Sequence, residues 1–161
     1  MKKTVTGAIS VVGLALMVLA GCAANPPAPG SGSADAGGSL STTSTSLGEI
    51  IVDGAGMTVY LYDEDTADSG KSVCTGSCAA EWPAVKTTKT MPTVTGITGT
   101  IGTIDAVGGG KQVTINGLPL YTYAGDSAAG DLTGQGHDGI WWVVDPAGKK
   151  ITEMVTNDRG Y

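Results

Sequence analysis

Two segments of the chain repeat one chemistry-bearing pattern. Tyr60-Leu61-Tyr62-Asp63-Glu64-Asp65 and Tyr121-Thr122-Tyr123-Ala124-Gly125-Asp126 both read Tyr-x-Tyr-x-x-Asp, offset by 61 residues. Two phenols at i and i+2 of a strand share a face. A carboxylate three residues further on lies just past the strand end, where it can cap the following loop or hold a tyrosine hydroxyl. If it accepts loop N–H bonds, its pKa should be depressed. The functional alternative is a tyrosine-lined face for a sugar, a glycan or a haem-like ring. A structural role is preferred, because the chain has no Phe and its aromatic core must come from Tyr and Trp.

The other candidates are less specific. Cys74 and Cys78, with three residues between them, suit a structural staple, a redox dithiol or part of a thiolate metal site. A redox pair more often has two intervening residues, and a zinc site needs further ligands. A disulfide here would close a short loop and contribute about 2 kcal/mol. His137 with Asp138 and Asp131 is the best cluster for a transition metal, although a lone loop histidine is more often solvated. Asp63, Asp65 and Asp68 invite calcium, but the EF-hand spacing fails at Ala67 and Asp68. Gly134-Gln135-Gly136-His137-Asp138-Gly139 fits G-x-G-x-x-G in form, yet a strand-like Trp141-Trp142 run follows where a dinucleotide site needs a helix. Hydrolase signatures are absent from the sequence. The expectation is therefore no enzyme, no cofactor and no metal.

Positioning these residues requires strands. Apolar and β-branched residues come in short runs broken by Gly, Asp and Asn. Glu49 to Val52 and Met57 to Tyr62 read as strands around a turn at 53–56. Gln112 to Ile115 and Leu120 to Tyr123 flank Asn116-Gly117, a strong hairpin signal. Ile140 to Val144 and Lys150 to Val155 flank a turn at 145–148, and Val94 to Ile104 reads as a loose edge strand or loop. A short helical turn is expected near Ala79 to Trp82. Each half runs from a glycine turn through the tyrosine motif to tryptophan: Trp82 in the first, Trp141 and Trp142 in the second. The predicted fold is all-β, a small antiparallel sandwich or barrel-like domain over residues 49–161, built from two related units at about 49–85 and 100–155.

Ahead of that domain, Lys2 and Lys3 precede an uncharged run from Ala8 to Ala20, too short to span a bilayer. Leu19-Ala20-Gly21-Cys22 then resembles the lipobox of bacterial lipoproteins. The resemblance implies a signal peptide over 1–21, cleavage before Cys22 and a diacylglycerol thioether on Cys22. Residues 23–48 are mostly Pro, Gly, Ser, Thr and Ala with one charge, Asp35. They read as a flexible spacer with a reach of about 28 Å. With Cys22 lipidated, Cys74 and Cys78 remain, and outside the cytoplasm such a pair usually forms a disulfide. Without Lys2 and Lys3, seven basic residues face fifteen acidic ones, a formal charge of −8. That argues against nucleic acid and anionic headgroups as partners.

Three features together resemble the secreted-repeat lipoproteins of bacteria, described by a Y-x-[FWY]-x-x-D motif. They are the doubled tyrosine motif, Cys74-Thr75-Gly76-Ser77-Cys78-Ala79-Ala80-Glu81-Trp82-Pro83, and Gly134 to Gly136 with Trp141-Trp142-Val143-Val144. The resemblance covers about 47–155. It implies localisation and fold and assigns no activity. The expected protein is monomeric, lipid-anchored on the extracytoplasmic face of the cell membrane, and a non-catalytic binding or envelope-interaction module. The alternative is a redox, electron-transfer or metal-binding accessory using Cys74/Cys78 or a His/Asp site.

Overall fold

The computed structural model describes residues 39–155; Cys22, the signal-like segment and the chain end lie outside them. The order is β1 (Leu40–Thr45), β2 (Gly48–Asp53), β3 (Tyr60–Tyr62), α1 (Ser77–Glu81), β4 (Lys86–Thr87), β5 (Ile101–Asp105), β6 (Lys111–Ile115), β7 (Leu118–Pro119) and β8 (Trp141–Val143), with a 3₁₀ turn at His137–Gly139 before β8. The strands form small antiparallel sheets: β1 with β2, β3 with β8, and β6 flanked by β4 and β5 with β7 also on β6. The all-β expectation therefore holds, with the helical turn falling at α1. No helix among the described residues is long and apolar enough to cross a membrane.

The spacer assignment fails at its C-terminal end. Leu40–Thr45 is a strand, paired residue for residue with β2 from Leu40↔Asp53 to Thr45↔Gly48. Only Leu40 in LSTTST is apolar, which is why composition mistook the segment for linker. Ser44 is exposed and the other serine and threonines are half-buried, the β-branched threonines suiting the pleat, and Leu40 is buried in the core. The repeat begins nine residues before the expected 49, and its counterpart begins at β5. The edge strand expected across 94–104 is confined to β5.

The asparagine-glycine hairpin forms, with Asn116 at φ 49° and Gly117 at φ 81° as a two-residue turn of that hand requires. Its return is shorter than expected. Only Leu118–Pro119 ladders back on β6, and Tyr121 then leaves to bridge Tyr60 and Ala84.

The two repeats exchange partners. β3 of the first pairs with β8 of the second, while Tyr121 of the second pairs with Ala84 of the first. The backbone bonds come in matched sets. Val59 N–H donates to Ile51 C=O at 3.1 Å, and Leu120 N–H to Val113 C=O at 3.0 Å. Ile51 N–H donates to Val144 C=O at 2.9 Å, and Val113 N–H to Val85 C=O at 2.8 Å. At the centre, Tyr60 and Tyr121 bond each other's backbone in both directions, at 2.8 and 3.1 Å, as across a local two-fold.

The core has an aliphatic part, which includes Leu40, Ile51, Val59, Val113, Leu120 and Val144, and an aromatic part built around Tyr60, Trp82, Tyr121 and Trp141. Truncating Leu40 to Ala should cost about 2–5 kcal/mol, as for other buried leucines. Urea unfolding reads this directly. An unchanged midpoint would mean that residues 40–45 contribute nothing to the fold.

Candidate functional site

The tyrosine motif meets itself across the two-fold. Tyr60 OH donates to Asp126 Oδ2 at 2.8 Å, and Tyr121 OH donates to Asp65 Oδ2. Each carboxylate therefore serves the phenol of the other repeat. Its second oxygen takes a loop N–H, as the sequence led one to expect: Val73 to Asp65 Oδ1 at 2.8 Å, and Thr133 to Asp126 Oδ1 at 3.0 Å, with the Thr133 hydroxyl adding a third bond. Both carboxylates are 8% exposed. Seven residues after each motif Asp stands a hydroxyl, Ser72 or Thr133. Ser72 Oγ lies 2.7 Å from Tyr121 OH. That spacing was a readable signal, and sequence reasoning missed it.

Tyr62, Tyr123 and the tryptophans make a continuous stack. Its order is Tyr123–Trp82–Trp141–Tyr62, with centroid separations of 4.3, 3.8 and 4.2 Å. Tyr60 and Tyr121 close the stack edge-on, against Trp82 at 5.4 Å and Trp141 at 5.2 Å. Trp142, one residue on along β8, projects to the other side. Its Nε1–H donates to Asp63 Oδ2 at 2.8 Å, and Lys150 bonds the same carboxylate and lies over the indole. Trp142 thus belongs to a surface clasp and stands apart from the aromatic core.

Burial governs the ionisation of the central pairs. It pushes both phenols above their ordinary range, and the hydrogen bonds to Asp126 and Asp65 add to the effect. For Asp65, burial raises the carboxyl pKa and outweighs the lowering by Tyr121 and Val73. The depressed value expected from loop N–H bonds alone is therefore wrong for Asp65, because desolvation of the charge is the larger influence. A tighter hold on the proton in the folded state means that this site's stabilisation is full below the unfolded value near 3.8 and is lost as pH rises through the folded pKa.

The remaining candidates disperse. The Cys74 and Cys78 sulfurs are bonded, pinning the loop that leads into α1 and Trp82. His137 packs against Trp82 and Tyr123, with Nε2 3.8 Å from Glu81 and 3.6 Å from Asp138. Asp131 instead accepts the backbone N–H groups of Ser127 and Ala128, both at 2.8 Å, so the candidate cluster of His137, Asp138 and Asp131 does not assemble. Asp63 and Asp65 likewise bond different partners. Among the described residues no three His, Cys, Asp or Glu side chains are placed to hold a metal.

Beside the disulfide lies a cavity of about 230 Å³, walled in part by Trp82, Pro83, Cys74 and Tyr121. Gln112, a residue that sequence reasoning passed over, lines it too.

A family model described as a secreted repeat of unknown function matches residues 41–86 and 102–145, the two halves that exchange strands. No curated protein and no solved structure matches the chain.

Two measurements test this geometry. In double-mutant cycles from urea unfolding, Tyr60→Phe should couple to Asp126→Asn by about 1–3 kcal/mol, and to Asp65→Asn by less than about 0.5 kcal/mol. Stronger coupling within one repeat would refute the exchange. Separately, the stability advantage of the wild type over Asp65→Asn should grow as pH falls from about 7 to about 4. A shrinking advantage would indicate a depressed Asp65 pKa.

Proposed function

The chain belongs to the secreted-repeat family of unknown function, and from that premise we propose that it works outside the cytoplasm as a non-catalytic binding module held on the membrane by lipid at Cys22. What supports this reading is the fate of the motif's reactive groups. The phenols and carboxylates suited to proton transfer are bonded to one another in the interior, and the phenols are held protonated by burial. A general acid or base must reach substrate and titrate near the working pH; these groups are arranged for cohesion. The stack of four aromatic rings stiffens the same centre. The domain then serves as a rigid head on its N-terminal tether, acting as a monomer and without a cofactor.

Lipid would supply the membrane affinity. Each buried methylene contributes about 0.8 kcal/mol, and two or three acyl chains hold a protein durably. No basic surface is then needed, in keeping with the acidic composition.

Cys22→Ala, followed by cell fractionation, should move the protein from the detergent-dependent membrane fraction to the soluble one. Retention on the membrane would defeat the anchor. Native mass spectrometry of protein taken from its own membrane should show an added mass from a retained non-covalent ligand. Catalytic turnover of such a ligand would defeat the binding role.

A further inference from the structure

One departure from the local two-fold sets a polar side chain opposite an aliphatic one in the interior. The matched backbone bonds align Ile51 with Val113, which sets Ile50 opposite Gln112. Ile50 is wholly buried in the aromatic cluster, as an interior strand position should be. Gln112 is 1% exposed and carries a carboxamide there instead. Its Nε2–H donates to Leu120 C=O at 2.9 Å, but its Oε1 meets no donor among the described residues. Buried acceptors are seldom left in this state, because each forfeits its bond to water. Gln112 is also the residue that lines the cavity beside the disulfide.

The surroundings define what would satisfy it. Lys86 of β4 is the direct cross-strand partner of Gln112, so the two side chains share a face, and both line the cavity. Lys86 is exposed and makes no ion pair among the described residues, although the chain is acidic overall. Ala79, Trp82, Pro83 and Val107 give an apolar wall. At roughly 30 Å³ for a water-sized group, the space admits about eight non-hydrogen atoms.

We propose that this cavity is a ligand site for a small hydroxy- or amino-carboxylate. The carboxylate meets Lys86 at the mouth, the O–H or N–H donates to Gln112 Oε1, and a short apolar body lies against Trp82. The assignment rests on the binding-module reading and gives it a location and a ligand class.

The test uses ¹⁵N-labelled mature full-length protein in detergent micelles, titrated with three probes: lactate, propionate, which lacks the hydroxyl, and lactamide, which lacks the charge. Lactate should shift the Gln112 side-chain amide and Trp82 indole signals saturably, with each lesser probe at least about fivefold weaker. Lys86→Gln should remove the preference for lactate over lactamide. Gln112→Met should remove the preference for lactate over propionate; should it not fold, the surface variant Lys86→Gln and the three wild-type titrations decide alone. No saturable shift with any probe would mean a cavity holding water only and would overturn the assignment. Equal affinity for all three probes, or preferences unchanged in the variants, would overturn it as well. Those outcomes leave the anchored binding module intact, since fractionation and native mass decide that separately.

Discussion

Neither repeat can satisfy both oxygens of its own buried carboxylate, and the rest of the structure follows from that constraint. A charge or a carboxyl removed from water needs donors close by. Asp65 finds its donor in Tyr121 and Asp126 finds one in Tyr60, so each half is complete only with the other present. The reciprocal backbone pair between the two tyrosines brings those hydroxyls across. A single repeat would strand a buried acceptor and leave the face of its tryptophan uncovered. Two repeats make one cooperative core out of units too small to bury their own apolar surface.

The aromatic stack is the apolar side of the same exchange. Trp82 comes from the first repeat and Trp141 from the second, and they lie parallel at 3.8 Å. Each is flanked by the outer motif tyrosine of the other repeat: Tyr123 beside Trp82, and Tyr62 beside Trp141. Hydrogen bonds select which carboxylate each phenol meets, while ring packing supplies apolar burial in a chain without phenylalanine. The disulfide acts only on the first repeat, at the loop carrying Trp82 into the stack. The equivalent loop of the second repeat is held by Gln135, whose carboxamide bonds Val143 N–H and the carbonyls of Ile151 and Glu153. Two chemically different fasteners thus occupy corresponding roles.

Departures from the two-fold are where individuality resides. Ile50 and Gln112 are matched in place and opposed in polarity. The aliphatic side chain completes a packed interior; the carboxamide borders a space and holds an acceptor that meets no donor among the described residues. Duplication gives such a chain two copies of every position, so one copy can hold the fold while the other is free to take on a different chemistry.

Much of this was legible in the residues themselves. The duplicated tyrosine motif, the Asn116-Gly117 turn and the short β-branched runs determine an antiparallel β domain of two units, because turn stereochemistry and strand alternation are local properties. The link between Cys74 and Cys78 was expected from the extracytoplasmic reading, which leaves them as the remaining pair once Cys22 is assigned to lipid. Leu40–Thr45 was lost to composition, since a half-exposed strand of threonine and serine resembles a spacer until the repeat offset maps β5 back onto it. The partner of each phenol was beyond sequence altogether. Asp65 and Asp126 are chemically identical choices for Tyr60 and Tyr121, and only the pairing of β3 with β8 and of Tyr121 with Ala84 brings the distant one within reach. The raised pKa of Asp65 was decided in the same way: a loop N–H donor was foreseeable, but the depth of burial that outweighs both Val73 and Tyr121 exists only once the two repeats have closed on each other.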